Sequence, residues 1–421
     1  MFDTTRQVPT RIGDLSFDHD YPTNPTVQKL YDEMDFQRAC QLYLWALPIV
    51  GVARWRQAYR DTFDLGDNEV LLTNTFQDRL GVLTLNESTP YMFGFTNVAE
   101  RPVVFDIPPG LVIGLTVDFW QQSLFDMGVF GVNEGEGGRY VVVGPDTPDH
   151  PDVEGATKIE SSTNNVCIVF RLAGTPEQNE AAKAGVSVYF QGDEPSFTII
   201  DAADRNAGML HQPRGLAFWR LLLEVLQEEP VADRDRFFMY WLTHLGIEKG
   251  ERFDPDTRQR AILEEAAFVG ESMAQAMVYD ERHPGVLMYD GWRMVLGGER
   301  GDGIHETQRM EHWDTFDPRA RYTYEAICTS EVMCNPVPGR GMAYMGVFQD
   351  RDRAWLMGER SYRLRVPAGV PASLFWSTVC YDNRTRTLID TDQQAATVGS
   401  KTDGLRVNDD GSVDVLYGPE S

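Results

Sequence analysis

The segment Asn86-Glu87-Ser88-Thr89-Pro90-Tyr91 is the first candidate for a functional site. It brings an amide, a carboxylate, two hydroxyls and a phenol together beside a predicted strand. Glu87 could act as a general base, and Asn86 and Tyr91 could donate hydrogen bonds to a developing oxyanion. The alternative is a turn in which the short polar side chains satisfy backbone groups and Pro90 sets the strand entry. We therefore predict Glu87 and Tyr91 as catalytic residues, and Asn86 and Thr89 as substrate contacts.

Two further carboxylates, Asp118 and Asp126, flank Phe119-Trp120. On one continuous strand their even offset would place both on the same face of a sheet. Paired carboxylates could bind a cation or divide the acid and base roles. The alternative is a loop carboxylate and an edge-strand charge. The pattern adds Asp118 to the predicted catalytic residues, and Trp120 and Asp126 to the predicted substrate contacts.

Near the C-terminus, Tyr381, Asp382, Arg384 and Arg386 crowd one turn. Arg386 could clamp an anionic substrate through paired N–H donors, with Trp376 as a neighbouring contact. A surface salt-bridge cluster is the alternative.

A metal site is suggested by His305, Glu306, Glu311 and His312, which offer two imidazoles and two carboxylates for a divalent ion. Their spacing matches no zinc-protease motif, since His-Glu-x-x-His is absent. An exposed polar loop is the alternative. A divalent metal is the only cofactor that the pattern suggests, and its identity stays open.

Several motifs are missing from the chain. It has no phosphate-cradling Gly-x-x-x-x-Gly-Lys, no dinucleotide-binding glycine fingerprint and no Gly-x-Ser-x-Gly elbow. The hydrophobic patterns predict a helix over 26–60, strands between 91 and 190, and helices within 214–279. Beyond residue 287 they predict strands over 342–348, 362–366, 374–380 and 413–417.

A repeat connects the two strand-rich regions. Residues 103–110 and residues 362–369 each read as a strand followed by a Pro-x-Gly turn. Phe-Trp and an aromatic-Asp pair follow both copies. Pro presets φ and Gly supplies the turn, and Phe-Trp on a strand would place one ring on each sheet face. The repeat predicts two similar sandwich or jelly-roll units.

Composition restricts the partners. The chain has 421 residues and a net charge of −26, with a pI of about 4.6. Without a basic cluster to neutralise phosphates, nucleic acid and anionic membranes are disfavoured. The five scattered cysteines indicate free thiols. No export signal is present, which favours the cytoplasm as the chain stands, or export if a leader precedes it.

The chain resembles bacterial proteins that pair the domain of unknown function 1254 with the domain of unknown function 1214. The matching stretches are Tyr21-Pro22-Thr23, Leu30-Tyr31-Asp32, Asp35-Phe36-Gln37-Arg38, Leu85 to Tyr91, Asp118-Phe119-Trp120, Gly137-Gly138-Arg139-Tyr140, Gly144-Pro145, Leu245-Gly246-Ile247, Phe253-Asp254-Pro255, Phe375-Trp376-Ser377, Tyr381-Asp382-Asn383, Thr385-Arg386, Asp410-Gly411-Ser412 and Gly418-Pro419.

The resemblance covers nearly the whole chain and implies two β-sandwich or jelly-roll-like domains around helices, with little implied about activity. Relatives usually continue past the equivalent of Gly418-Pro419, which predicts a C-terminal truncation, and many begin with an export signal. We expect a mainly β fold of the α+β class with a helical middle. The predicted parts are 1–212 with the first sandwich, 213–285 as a helical segment, and 286–421 as the second sandwich.

These features favour an enzyme that acts on a small organic molecule by acid/base chemistry, as a hydrolase or lyase, with or without a metal. The alternative is a non-catalytic ligand-binding or assembly protein. Because sandwich proteins often cover open sheet edges by association, we also predict a homo-oligomer.

Overall fold

The structure is a computed structural model that describes residues 5–131, 133–279, 288–289, 291–294, 317–327 and 342–419. About 30% of the described residues are helical and 25% are in strands, in several sheets with a helical middle. The predicted α+β class is therefore confirmed. The boundaries between the three predicted parts stay predictions.

The described helices are α1 (Asn24–Phe63), α2 (Phe76–Arg79), α3 (Pro176–Gly185), α4 (Leu216–Glu228), α5 (Arg236–His244), α6 (Thr257–Tyr279) and α7 (Asp317–Glu325). The described strands are β1 (Thr5–Val8), β2 (Leu15–Asp18), β3 (Tyr21–Pro22), β4 (Glu69–Thr73), β5 (Tyr91–Asn97), β6 (Val103–Ile107), β7 (Val112–Asp118), β8 (Ser123–Gly128), β9 (Gly138–Val143), β10 (Ala156–Glu160), β11 (Asn165–Leu172), β12 (Ser187–Phe190), β13 (Thr198–Asp201), β14 (Met288–Tyr289), β15 (Trp292–Met294), β16 (Met345–Gly346), β17 (Tyr362–Val366), β18 (Ser377–Val379), β19 (Thr397–Gly399) and β20 (Val413–Tyr417).

The long helix α1 confirms the helix predicted over 26–60. Pro25 stands in its first turn, where a missing backbone N–H removes no intrahelical bond. The helix ends where Asp64 takes a left-handed conformation at φ 55° and its N–H bonds to the carbonyl of Arg60. Most side chains from Ala39 to Ala53 are buried, so this helix forms the centre of the helical layer.

Two sheets pack in layers beside the helices. The larger has six strands in the order β13-β4-β5-β11-β7-β8, and the smaller has four in the order β10-β9-β6-β12. One face of the larger sheet contributes Phe93, Phe95 and Leu115 to a cluster with the helices. Its other face contributes Met92 and Ile168 to a cluster with the smaller sheet. Because both faces are covered, the central strand β11 is buried along its whole length.

The C-terminal segment (342–419) is a smaller β unit. Its strands pair as β17 with β20 and β18 with β19, and side chains of both pairs share one cluster. The strands predicted over 342–348 and 374–380 are shorter than expected: β16 covers two residues and β18 covers three.

The predicted placement of Phe119 and Trp120 on opposite faces of a strand is wrong. Both residues follow the end of β7, in a turn rather than a strand. Both then bury their rings in the same cluster with the helices, because the turn directs the chain back toward that layer.

Candidate functional site

The segment Asn86–Tyr91 forms a turn that leads into β5. The Asn86 Oδ1 atom accepts a hydrogen bond of 3.0 Å from the backbone N–H of Ser88, as the turn alternative predicts. Arg79, at the end of α2, donates 3.1 Å to the carbonyl of Glu87 and 2.9 Å to that of Thr89. The buried guanidinium therefore holds both sides of the turn.

The same turn contacts the C-terminal segment. The backbone N–H of Ala396 donates to Glu87 Oε2 at 2.8 Å. The Ser88 and Ser377 hydroxyls lie 3.5 Å apart. The Tyr381 hydroxyl donates to the carbonyls of residues 84 and 85, each at 3.1 Å. Burial raises the pKa of Tyr381 well above its ordinary value. Residues 84–91 thus lie at a junction between the larger sheet and the C-terminal segment.

Arg171 is a second buried guanidinium at this junction. It lies on β11 directly opposite Tyr91 on β5, and its guanidinium carbon is 4.6 Å from the centre of the Tyr91 ring. Its Nε donates 3.0 Å to the Thr89 hydroxyl, and its Nη1 lies 3.2 Å from the sulfur of Met342. A thioether is a weak acceptor for a charged donor.

The two arginines are buried and make no ion pair with a carboxylate of the described residues. Arg79 is 4% exposed and Arg171 is 5% exposed. Within the described ranges, neither guanidinium lies within ion-pair distance of an acidic side chain. Burial lowers the pKa of Arg79, and the neighbouring Arg171 lowers it further, against raising contributions from Tyr91, Glu87 and Asp78. A buried cation that makes no ion pair is costly, so this pair is a candidate anion site.

Open polar atoms surround the two guanidiniums. Arg79 Nε is buried without a hydrogen-bond partner. In the part of the chain that the structure describes, Arg171 Nη2 and the Tyr91 hydroxyl also make no hydrogen bond. Glu87 Oε1 is an acceptor in the same state, since only Oε2 is engaged. The junction therefore offers donors and one acceptor to a ligand.

Asp118 and Asp126 do not form a pair. Asp118 ends β7, while Asp126 lies on β8 opposite Leu115. Opposed residues of antiparallel strands share a face, and Leu115 and Asp118 are an odd number of residues apart. The side chains of Asp118 and Asp126 therefore point to opposite faces of the sheet. The two carboxylates do not form the pair that the sequence suggested.

Asp118 is fully buried and engaged on both oxygens. Oδ1 accepts from the backbone N–H of Gln122 at 2.8 Å, and Oδ2 accepts from the hydroxyl of Ser162 at 2.5 Å. Burial raises the pKa of Asp118, and these two hydrogen bonds and the charges of Arg234 and Arg319 oppose that shift. Through these two hydrogen bonds, the carboxylate connects the turn after β7 to the loop before β11.

We expect Asp118→Asn to change the free energy of unfolding by less than about 1 kcal/mol. The amide oxygen can accept from Gln122, and the hydroxyl of Ser162 can rotate to accept from the amide nitrogen. Asp118→Ala removes both bonds and leaves buried groups without partners, at a cost of about 2 kcal/mol. Urea denaturation of the two variants measures the difference. Equal losses in both would contradict this account of the carboxylate.

Trp120 and Trp376 pack against protein side chains. Trp120 is 6% exposed, and its ring centre lies 5.0 Å from that of Trp45. Trp376 is partly buried against the cluster formed by β17 and β20. Neither contact tests the predicted roles in substrate binding, which stay predictions.

Arg386 lies inside the molecule. It is 6% exposed and donates 2.5 Å to the carbonyl of Tyr324 and 3.1 Å to Oε1 of Gln212. Its guanidinium lies 4.0 Å from the centre of the Tyr324 ring. The alternative of a surface salt-bridge cluster is wrong for Arg386. It describes only Arg384, which is exposed and pairs with Asp382 at 3.3 Å.

The predicted metal ligands His305, Glu306, Glu311 and His312 lie outside the described residues. Among the residues that the structure does describe, no group of three or more His, Cys, Asp or Glu side chains could hold a metal. The divalent metal stays a prediction.

Surface clefts lie elsewhere on the described part of the molecule. One, of about 330 Å³, is lined by residues that include Asp149, His150 and Lys158. Another, of about 500 Å³, lies between residues 106–109 and 136–139. Neither cleft contains a predicted site residue, so the candidate site rests on the junction alone.

Sequence reasoning missed both arginines of the junction. Arg171 did carry a signal, because it is the one charged residue in the apolar run Val166–Leu172. A charge in a strand that is buried on both faces needs a specific partner. Arg79 follows an ordinary polar stretch, and nothing in its local sequence marks it.

The protein has an α+β fold, and its candidate site lies between the larger sheet and the C-terminal segment. Two family models match these parts: Protein of unknown function (DUF1254) over residues 68–189, and Protein of unknown function (DUF1214) over residues 341–421. The chain therefore matches the DUF1254 model in its N-terminal part and the DUF1214 model in its C-terminal part, which is the order that its resemblance predicts.

A solved structure extends the likeness to the fold. The VPA0106 protein from Vibrio parahaemolyticus is 16% identical over 92% of this chain and 88% of its own, with a TM-score of 0.52. A protein from Burkholderia cenocepacia is 9% identical over 94% of this chain and 87% of its own, with a TM-score of 0.36. No curated protein matches the chain. None of the described helices is long and apolar enough to cross a membrane.

Proposed function

We propose that the protein binds a small organic anion at the junction between its DUF1254 and DUF1214 domains. The observation that carries the proposal is the pair of buried guanidiniums, Arg79 and Arg171, which have no carboxylate within ion-pair distance in the described residues. A ligand carboxylate would accept hydrogen bonds from guanidinium N–H groups that the described residues leave open, in a place where water screens little.

The arrangement of donors supports a carboxylate. Arg171 presents Nη2, and its Nη1 holds only the thioether of Met342. A ligand carboxylate that displaced the sulfur could accept from both nitrogens in the bidentate geometry that guanidinium favours. The Tyr91 hydroxyl, whose ring lies under Arg171, could donate a further bond.

We also propose that the protein converts the bound ligand by acid/base chemistry. Glu87, with one open oxygen, would be the base, and the Tyr91 hydroxyl would stabilise developing negative charge. This assignment keeps the hydrolase or lyase prediction. The binding proposal does not depend on it.

Arg171→Gln is expected to weaken binding of small carboxylates at least tenfold, because a hydrogen bond to a charged group contributes roughly 1.5–3 kcal/mol. The measurement is isothermal titration with acetate, propionate and malonate at constant ionic strength. Arg363→Gln is the matched control, since Arg363 is exposed on β17 and makes no polar contact with the described residues.

Two further results bear on the proposal. Arg171→Lys keeps the charge but loses the fork of donors, so we expect intermediate affinity. The proposal fails if the wild-type protein binds none of these anions at millimolar concentration, or if Arg171→Gln binds them as well as the control does.

Assembly is a second candidate role, and the predicted homo-oligomer belongs to it. The side chains of Phe237 and Tyr240 on α5 are 51% and 60% exposed, and Phe268 on α6 is 72% exposed. Exposed aromatic side chains are enriched at protein interfaces. Light scattering at micromolar concentration tests association, and a monomer there refutes it.

A further inference from the structure

The junction presents opposite charges. Arg79 and Arg171 provide the positive side, and the Glu87 carboxylate provides the negative side. Arg79 connects the two, because it bonds the carbonyl of Glu87 and that of Thr89, while Arg171 bonds the hydroxyl of Thr89. A ligand that reaches the guanidiniums therefore also approaches the carboxylate.

Only one oxygen of the Glu87 carboxylate accepts a hydrogen bond from the described residues. Its Oε2 accepts the backbone N–H of Ala396, while Oε1 has no partner in the described ranges. It forms no ion pair with Arg79, although its charge acts on that guanidinium. A carboxylate in this state accepts best from a charged donor.

Asp78 is the other acidic side chain that acts on Arg79, and its Oδ1 is buried without a hydrogen-bond partner among the described residues. Its Oδ2 accepts the backbone N–H groups of Asn74 and Thr75 at the start of α2. Two cations and two carboxylates make the junction neutral in sum. A ligand that is neutral in sum, but charged at both ends, would match both sides without leaving net charge buried.

We infer that the ligand of this site is a zwitterion, a small molecule with a carboxylate for Arg79 and Arg171 and an ammonium group for Glu87. An amino acid is the simplest member of this class. The inference rests on the proposed function and adds the second half of the ligand. It assigns Glu87 a role in specificity, whether or not it also acts as a base.

The test compares ligands that differ only in the amino group. Propionate and alanine form one pair, and butyrate and 4-aminobutyrate form another. Glycine, β-alanine, 4-aminobutyrate and 6-aminohexanoate then vary the distance between the charges. We expect at least one amino acid to bind tenfold or more tightly than the carboxylate of the same length, as measured by isothermal titration.

Glu87→Gln then separates recognition from folding. The Gln oxygen can still accept from Ala396, so we expect a folded protein. The preference for the amino acid should fall at least tenfold, while propionate should bind at least as tightly as before, because a negative charge near the guanidiniums is removed. Glu359→Gln, a change at an exposed residue without a described partner, should alter neither.

The outcomes distinguish the two proposals. If propionate and the amino acids bind equally to the wild-type protein, the zwitterion inference is wrong and the anion site stands. If Glu87→Gln keeps the full preference, the assignment of the ammonium group to Glu87 is wrong. If the wild-type protein binds neither class, both proposals fail. Should Glu87→Gln not fold, the wild-type comparison still decides between them.

Discussion

Arg386→Ala is expected to lower the free energy of unfolding by about 3 kcal/mol. The guanidinium donates to the carbonyl of Tyr324 and to Gln212, and a hydrogen bond from a charged group contributes roughly 1.5–3 kcal/mol. Stacking on the Tyr324 ring adds up to about 2 kcal/mol at a buried site. Relief of the buried charge offsets part of the loss, which is why we expect less than the sum.

The Arg386→Ala substitution should also weaken the contact between the C-terminal segment and the helical layer. Arg386 belongs to the C-terminal segment, whereas Tyr324 lies on α7 and Gln212 lies before α4. The carbonyl of Arg386 additionally accepts from the backbone N–H of Thr84. Loss of the side chain should therefore loosen the docking of the C-terminal segment, seen as a lower slope or a second phase in urea denaturation.

Arg384→Ala is the matched control for this experiment. Arg384 lies in the same turn, but its side chain is 85% exposed and pairs only with Asp382 among the described residues. Exposed pairs of this kind contribute roughly 0–1 kcal/mol. If the two alanine variants lose similar stability, Arg386 does not fasten the C-terminal segment.

Local sequence patterns predicted the regular elements well where one face of the element is apolar. The helix α1 follows from Asn24-Pro25 and the apolar positions after it. The strands β17 and β20 match their predicted bounds. The prediction was worse for β16 and β18, because the apolar residues that flank them are not part of a strand.

The polar site was predictable only in part. The segment Asn86–Tyr91 stands out in the sequence because polar types cluster there, and the structure places it at a junction. The partners that define the junction come from α2, β11 and the C-terminal segment, far apart along the chain. No local pattern specifies such contacts, since they depend on how the sheet and the C-terminal segment pack. For the same reason Arg386 could not be recognised as buried.

Neutral pH is expected to destabilise the protein through Glu229. This carboxylate follows α4 and is 3% exposed. Burial raises its pKa from 4.5 to about 7, against the hydrogen bonds that it accepts from Asn164 and Asn165. The folded state therefore holds a proton that the unfolded state releases between about pH 4.5 and 7. Stability must fall as the pH rises through this window, by up to about 3 kcal/mol at 1.36 kcal/mol per pKa unit.

Glu229→Gln tests both the charge and the hydrogen bonds. Oε2 accepts the N–H of Asn164 at 2.6 Å, and Oε1 accepts the N–H of Asn165 at 3.0 Å and its Nδ2 at 2.6 Å. Gln has one oxygen, so its NH₂ group must face at least one of these donors. In Asp118→Asn, the Ser162 hydroxyl can change from donor to acceptor. A backbone N–H can only donate, so it cannot adapt to the new amide in this way. We expect a loss of about 2 kcal/mol at pH 5.

The pH dependence of this variant decides the assignment. Chemical denaturation between pH 4.5 and 8 should show the wild-type stability falling, and a smaller fall in Glu229→Gln, because the amide does not titrate. Glu224→Gln, at an exposed position of α4, should keep the wild-type slope. An unchanged slope in Glu229→Gln would show that another group causes the pH dependence. If the wild-type protein has no slope, the buried carboxylate is ionised throughout, held by the three N–H donors of Asn164 and Asn165.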